Sequence, residues 1–150
     1  MKRVAHYLLD TNVVSEMMRK VPDHQVLDFV DTAHEKGLAI SSITVWEIRN
    51  GLSLLSPGQK RRDLEQRFGA LIDELFEDRV VPIDRIVAEA CAVRMEERRR
   101  AGRSLDAHLP DAIIAASAQC HELVLATRNV KDFEGAGIEL VDPWSDIGRH

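Results

Sequence analysis

The stretch YLLDTN at residues 7–12 decides the fold, because a short apolar run ends there at Asp10 and two small polar residues follow it. Residues 4–9 are more continuously apolar than alternating, as expected for a strand that is covered on both faces. We therefore predict a central strand at this position. Open α/β sheets bind ligands beyond the carboxyl ends of their strands, so Asp10 is a candidate site residue.

Length and composition fit one globular domain. A chain of 150 residues is long enough to bury roughly two-thirds of the surface that its unfolded form exposes. Hydrophobic residues make up 45% and charged residues 30%, with only 8 Gly and 5 Pro, which excludes a disordered or fibrous chain. The formal net charge of -5 argues against a general electrostatic binder of nucleic acid, but not against an enzyme that holds cations between an acidic site and a phosphate.

The two cysteines, Cys91 and Cys120, lie in apolar helical patterns, which favour small buried residues over a disulfide and suit a reducing compartment. No apolar run approaches the ~18 residues of a membrane span. Residues 1–6 lack the apolar core and the cleavage site of a secretory signal. We therefore expect a soluble protein of the cytoplasm.

Strand and helix patterns alternate along the chain without a composition break or a linker. Thr11 and Asn12 offer capping groups for the first helix, and residues 41–42 offer them for the third. The alternation predicts a single α/β domain over residues 1–150, with a mainly parallel sheet of about five strands flanked by helices. The predicted strands cover residues 4–9, 38–40, 80–83, 123–126 and 139–141, and the predicted helices begin near residues 13, 22, 43, 59, 86 and 110.

Five polar residues stand where these elements end or begin, and four of them are acids. Asp10 ends the first strand, Glu47 lies in the third helix, and Asp111 begins the sixth helix. Asn129 and Asp132 follow the fourth strand. Carboxylate oxygens hold hard divalent cations such as Mg²⁺ or Mn²⁺, which stabilise the attacking and leaving oxygens in phosphodiester cleavage. Acids gathered at one end of a sheet would suit this chemistry.

Each of the three leading acids also has an ordinary structural explanation. Glu47 stands among apolar neighbours, where an unpaired buried glutamate is costly, but an exposed glutamate on an amphipathic helix fits the same window. Asp111 beside Pro110 interacts well with the helix dipole without any further function. Asp10 alone is explained as a helix cap. The spacing of these residues does not show that they meet.

The sequence resembles the PIN-domain ribonucleases, and in particular the VapC toxins of bacterial toxin–antitoxin pairs. The resemblance covers nearly the whole chain, and its motifs are modest one by one but specific in their order and separations. They are LLDTNVVS at residues 8–15, SITVWEI at 42–48, PDAIIAA at 110–116, LATRNVKDF at 125–133 and VDPW at 141–144.

This resemblance implies a PIN-like α/β sandwich with an acidic site that binds Mg²⁺ or Mn²⁺ and cleaves single-stranded or structured RNA. Asp10, Glu47 and Asp111 match the three principal acids of the family. The resemblance implies that Asp10 and Asp111 bind the metal directly or through water. It implies that Glu47 completes the cluster or orients the attacking water.

Supporting roles follow from the same resemblance. Thr11 and Asn12 match the polar pair that follows the first acid, and Asn12 is expected to orient Asp10. Thr127 is expected to do the same from the fourth strand.

The fourth acidic position departs from the family pattern. Many relatives have Asp where this chain has Asn129, so either Asp132 supplies the fourth acid or the site works with three. Arg128, beside the end of the fourth strand, is a candidate contact for substrate phosphate. A denser basic cluster at and just beyond the end of the fifth predicted helix is explained by the helix dipole and by its own acidic neighbours, with direct RNA contact as the alternative. That cluster comprises Arg94, Arg98, Arg99, Arg100 and Arg103.

The resemblance also implies partners. Trp46 and the apolar side chains of residues 13–18 and 52–55 either belong to the core or form a surface. In the family, such surfaces mediate homodimerisation and clamp the C-terminal segment of an antitoxin. The implied partners are RNA, with tRNA or rRNA as candidates, a cognate antitoxin, and a second copy of the chain in a toxin–antitoxin hetero-oligomer.

Two alternative functions belong to different classes. A haloacid-dehalogenase-like phosphatase also places a nucleophilic Asp at the end of its first strand, but it needs a second Asp two residues later, where this chain has Asn12. A PIN-like domain that binds RNA or a partner without cutting would be favoured if Asn129 marked the decay of the site.

Overall fold

The computed structural model describes residues 5–102 and 109–145. Within these ranges the chain forms a 5-stranded sheet that is parallel throughout, with its strands in the order β3-β2-β1-β4-β5. The predicted α/β fold and the central position of β1 are therefore confirmed. The strands are β1 (Tyr7–Leu9), β2 (Leu38–Ser41), β3 (Val80–Val81), β4 (Val124–Ala126) and β5 (Leu140–Val141).

Helices cover both faces of the sheet. A 3₁₀ turn at His34–Lys36 follows the second helix, and a π-helical turn at Leu71–Leu75 follows the fourth. Among the described residues, no helix is both long enough and apolar enough to cross a bilayer. The α-helices are α1 (Thr11–Met17), α2 (His24–Ala33), α3 (Ser42–Ser53), α4 (Gln59–Ala70), α5 (Arg85–Arg100), α6 (Leu109–Cys120) and α7 (Val130–Phe133).

The core lies on both sides of β1. Leu9 packs with residues from α1 to α4, including Phe29 and Phe68, and Leu8 packs on the opposite face with Ile114 and Phe133. Consecutive side chains of a strand point to opposite faces, so both leucines are buried only because helices cover both sides. This double burial explains why the first strand lacks an alternating pattern.

The apolar segments near α1 and α3 are divided between core and surface. Val13, Val14 and Met18 are buried in the core, whereas Trp46 and Leu54 are 58% and 80% exposed. The candidate interaction surface therefore contains Trp46 and Leu54, but not the buried side chains of α1. Both thiols predicted to be unpaired are free in the structure.

Of the capping residues that the sequence offered for α1, the structure uses Asp10. Thr11 and Asn12 do not cap the helix, because it already begins at Thr11, and Asp10 is its N-cap. The Asp10 carboxylate accepts a hydrogen bond from the Thr11 amide, so the residue that ends the strand also starts the helix. The cap of α3 agrees with its prediction, because Ser41 accepts a hydrogen bond from the Ile43 amide.

Several other boundaries, and one further element, also differ from the predictions. The helix predicted over residues 59–76 leaves the α-helical conformation after Ala70. The strand predicted to begin at residue 4 begins at Tyr7, and residue 4 lies outside the described ranges. The short helix α7 was not predicted, because four residues are too few to show a helical period.

We expect Leu125→Ala to lower the free energy of unfolding by about 2–5 kcal/mol, because this β4 side chain is fully buried and the surrounding core relaxes only in part. Leu54→Ala is the matched control at an exposed position, with an expected change of about 0.5 kcal/mol or less. Urea unfolding of both variants measures the difference. Equal losses would contradict the described core.

Candidate active site

Asp10 is buried at the carboxyl end of the central strand, with only 3% of its surface exposed. Its Oδ1 accepts a hydrogen bond of 2.8 Å from the Thr11 amide, and its Oδ2 accepts one of 2.7 Å from the Thr127 hydroxyl. Burial raises the pKa of Asp10, the two hydrogen bonds oppose that shift, and the negative charge of Asp132 raises the pKa further. The ionised carboxylate is therefore held at a net cost in free energy.

Thr127 connects the ends of neighbouring strands. Its fully buried hydroxyl donates to Asp10 and accepts a hydrogen bond of 3.1 Å from the Asn129 amide. The backbone extends the same connection, because the Asp10 amide donates to the Ala126 carbonyl and the Thr127 amide donates to the Val141 carbonyl. The expected orienting contact from β4 to Asp10 is present.

Glu47 lies on α3, half-buried, and is tied to the same corner through Thr11. The Thr11 hydroxyl donates a hydrogen bond of 2.8 Å to Glu47 Oε1 and lies 3.0 Å from the Thr44 hydroxyl. Since the one Thr11 hydroxyl proton goes to the carboxylate, Thr44 donates to Thr11. Thr11 therefore serves Asp10 with its amide and Glu47 with its hydroxyl.

Thr44 is a site residue that the sequence did not single out. It is fully buried, and it lies three residues before Glu47, which places the two side chains on the same face of α3. This spacing of three residues is the sequence signal that could have identified Thr44. Its hydroxyl fixes the Thr11 side chain and, through it, the orientation of Glu47.

Asp111 lies half-buried in the first turn of α6, just before the buried run at residues 112–118. This position favours a negative charge because of the helix dipole. Among the described residues, no three Asp, Glu, His or Cys side chains lie close enough together to form a group that could hold a metal ion. The acids are thus linked in part, through Thr11 and through the charge of Asp132, but they are not gathered in a three-residue cluster.

The two candidates for the fourth acidic position behave differently. Asn129 is exposed at the N-cap of α7 and makes no side-chain capping bond. Asp132 lies within α7, and its charge reaches Asp10 strongly enough to raise the pKa of that carboxyl. Of the two, Asp132 is the residue with an electrostatic effect on Asp10.

Two other predicted site residues lie at the surface. Asn12 is exposed, and the hydrogen bonds accepted by Asp10 come from Thr11 and Thr127 instead. Arg128 is also exposed, and its guanidinium carbon stands 4.8 Å from the centre of the Trp144 ring.

A groove of about 1140 Å³ opens beside this corner, with Thr11 and Glu47 in its wall. Four cationic side chains from the turn after α1 and from α4 also line it, so that the acidic end at Glu47 adjoins a largely basic wall, which also contains Asp63. The cationic residues of the groove are Arg19, Lys20, Lys60 and Arg67.

Comparisons with known proteins agree with one another. A sequence model of the family described as PIN domain matches residues 7–137. The toxin FitB of Neisseria gonorrhoeae is 37% identical over 139 residues, covering 93% of this chain and 99% of FitB. The VapC ribonuclease Y4jK of Sinorhizobium fredii is 34% identical over 137 residues, covering 91% of this chain and 96% of that protein.

A solved structure shares the fold. The crystal structure of FitAcB from Neisseria gonorrhoeae superposes with a TM-score of 0.81 at 36% identity, covering 92% of this chain and 98% of the matched chain. The structure of FitAB bound to an IR36 DNA fragment gives a TM-score of 0.82 at 34% identity, covering 93% and 96%.

The raised pKa of Asp10 predicts a pH-dependent stability difference for Asp10→Asn. Between the unfolded value, about 3.9 for an aspartate, and the raised value, the folded chain binds more protons, so stability falls as pH rises through that range. At pH 7, above the unfolded value, the cost of holding the charge is present, and Asn caps helices as well as Asp. We therefore expect Asp10→Asn to melt at a higher temperature than the native chain at pH 7.

That difference should shrink as the pH falls through the raised pKa of Asp10, because the native carboxyl then binds a proton and loses its charge. Thermal melting across this pH range in the presence of a metal chelator measures it. Asp31→Asn, at an exposed position on α2, is the control and should leave the melting temperature unchanged. A lower melting temperature for Asp10→Asn at pH 7 would contradict the assignment of a desolvated carboxylate.

Proposed function

Because the chain belongs to the PIN-domain family, we propose that it is an endoribonuclease that uses a divalent cation and acts as the toxin of a toxin–antitoxin pair. The observation that carries this proposal is the buried Asp10 carboxylate at the end of the central strand. Its ionised form is costly unless a positive charge comes near it. A cation bound at that point would supply the missing charge.

The donor set fits a hard cation such as Mg²⁺ or Mn²⁺. Asp10, Glu47 and Asp111 would hold it, and carboxylate oxygens are the ligands such ions prefer. Mg²⁺ is commonly bound through one or two carboxylates and keeps several waters, so the site does not need three side chains that converge. When bound, the ion would stabilise charge on the phosphate oxygens.

The protein side chains would orient the reaction. Thr127 and Thr11 hold both Asp10 oxygens, which leaves the carboxylate one orientation towards the ligand. Glu47 keeps Oε2 outside its bond to Thr11, and this atom would either hold the cation or orient the attacking water. Asp132 would add negative charge at the position where Asn129 has none.

RNA is the proposed substrate, with tRNA and rRNA as candidates. One relative is named a VapC ribonuclease, and the basic wall of the groove beside Glu47 suits a phosphate backbone even though the chain is acidic overall. Arg128, held over the Trp144 ring, is proposed to contact a substrate phosphate.

A cognate antitoxin and a second copy of the chain are the proposed protein partners. The solved Klebsiella pneumoniae relative, at 29% identity, is a toxin–antitoxin complex. The exposed Trp46 and Leu54 on and beside α3 give this chain a surface for such contacts. We propose that residues 1–150 form one PIN domain and that it works in the cytoplasm, where its RNA substrates are.

The second candidate function is a PIN-like domain that binds without cutting. Asn129 favours it, because the amide brings no charge to the fourth position. Membership of the PIN-domain family argues against the phosphatase alternative. That alternative also needs a second Asp at position 12, where this chain has Asn12.

Asp10→Asn should lower RNA cleavage by the purified, antitoxin-free chain at least about 100-fold, because loss of mere supporting contacts at metal sites already costs about 10–100-fold. Thr127→Val should lower RNA cleavage by about 10–100-fold, since it removes only the hydroxyl that orients Asp10. Thr127→Ser, which keeps the hydroxyl, should retain the activity. RNA cleavage in Mg²⁺ or Mn²⁺ is measured beside a phosphomonoester, which should stay intact. Undiminished cleavage by a folded Asp10→Asn protein would refute the proposed site.

Mg²⁺ should raise the melting temperature of the native chain. A ligand that binds only the folded state at ten times its Kd adds about 1.4 kcal/mol, which corresponds to roughly 3–6 °C for a domain of this size. Asp10→Asn should lose the increase, whereas Asp31→Asn should keep it. No increase at millimolar Mg²⁺ or Mn²⁺ would count against a metal site in the folded chain.

A further inference from the structure

Two arginines of α5 meet at one backbone atom beside the candidate active site. Arg94 Nη2 donates a hydrogen bond of 3.1 Å to the main-chain carbonyl of Asp132, and Arg98 Nη1 donates one of 3.3 Å to the same oxygen. Residues four apart on a helix lie on the same face, so both guanidinium groups reach the α7 turn together. The carbonyl they hold belongs to the residue whose charge acts on Asp10.

Arg94 is built into the structure rather than displayed at its surface. Only 8% of the residue is exposed, and its guanidinium carbon stands 5.9 Å from the centre of the buried Phe133 ring. A buried cation is costly unless hydrogen bonds satisfy it. Its bond to the Asp132 carbonyl is charge-assisted, and such bonds are stronger than those between neutral groups.

The α7 turn needs support from outside. It has four residues, and Asn129 gives it no side-chain cap. A helix this short is unstable by itself, because nucleation fixes several residues for one hydrogen bond. The Asp132 amide does bond to the Asn129 carbonyl at 3.0 Å. Among the described residues, the turn is also held by the Asn129 amide, which donates to the Thr127 hydroxyl, by Phe133 in the core and by the two arginines.

This support acts on a turn that is joined to the site. The Asn129 amide at the start of the turn donates to the Thr127 hydroxyl, which in turn donates to Asp10. Hydrogen bonds from two guanidinium groups to the Asp132 carbonyl hold the other end of the turn. The position of Arg98 is unfavourable in free energy, because its Nε is buried and makes no hydrogen bond within the part of the chain that the structure describes.

We propose that Arg94 and Arg98 are positioning residues that hold the α7 turn in place, so that Asp132 serves as the fourth acid that Asn129 cannot supply. The proposal rests on the proposed function and extends it, since it gives two members of the basic cluster a task other than RNA contact. Arg99 and Arg100 remain exposed on the same helix, and Arg103 lies outside the described residues.

A double-mutant cycle between α5 and α7 tests the proposal. The proteins are the native chain, Arg98→Ala, Asp132→Asn and the double variant, with Arg99→Ala as the exposed control one residue away. The main readout is Mn²⁺ affinity by calorimetry in the absence of RNA, and RNA cleavage is the second. Thermal melting checks that each variant folds. Arg94→Lys, which keeps the positive charge but loses the forked geometry of the guanidinium, tests the buried arginine.

We expect Arg98→Ala and Asp132→Asn each to weaken Mn²⁺ binding by about 10-fold, the size typical of contacts that orient metal ligands. The double variant should be no weaker than Asp132→Asn alone, because Arg98 acts through that residue. The Mn²⁺ affinity of Arg94→Lys should lie between that of Arg98→Ala and that of the native chain. The Mn²⁺ affinity of Arg99→Ala should equal that of the native chain.

Two results overturn the positioning role. Unchanged Mn²⁺ affinity in Arg98→Ala would show that α7 needs no support, and multiplied losses in the double variant would show that Arg98 acts independently of Asp132. A loss of RNA cleavage with unchanged Mn²⁺ affinity would assign the arginines to RNA contact instead. If the native chain itself neither binds Mn²⁺ nor cleaves RNA, the proposed function fails, and the positioning role fails with it.

Discussion

A carboxylate that has lost most of its contact with water stands at the end of the central strand, and the rest of the site depends on how it is held. Two hydrogen bonds replace the water, one from the Thr11 amide and one from the Thr127 hydroxyl. They do not offset the cost of burial, because the pKa of Asp10 remains raised. Asp10 keeps this position because β1 is covered on both faces, α1 starts at the next residue, and β4 ends beside it.

Thr11 determines how two acids are related in space. Its amide belongs to the first turn of α1, and its hydroxyl spans to α3, so the geometry between Asp10 and Glu47 is set by a helix start rather than by a flexible loop. Thr44 then fixes the hydroxyl from a fully buried position. Side chains placed by packed helices and strands hold their geometry better than side chains placed by loops. The acid that lacks such a link, Asp132, lies on the short helix that two arginines hold.

Much of the fold could be predicted from local patterns, because the first strand, the alternation of strands and helices, and the Ser41 cap are properties of neighbouring residues. The cap of α1 could not be read in the same way, since Asp10, Thr11 and Asn12 all have capping side chains and only the backbone decides among them. The acids could be named from the sequence, but the Thr11 bridge between β1 and α3 spans 36 residues, and no local pattern records such a contact. Nor does any local pattern show that Arg94 and Arg98 meet the carbonyl of Asp132.

The two edges of the sheet limit how this protein can associate. β3 and β5 are each two residues long, and Pro82 follows β3 directly, so neither edge offers the row of free amides and carbonyls that a further strand would need. Within the part of the chain that the structure describes, the sheet therefore offers no long edge to a second molecule. The exposed Trp46 lies on α3 instead, one residue from Glu47. A protein bound at that tryptophan would contact the same helix that carries one of the acids.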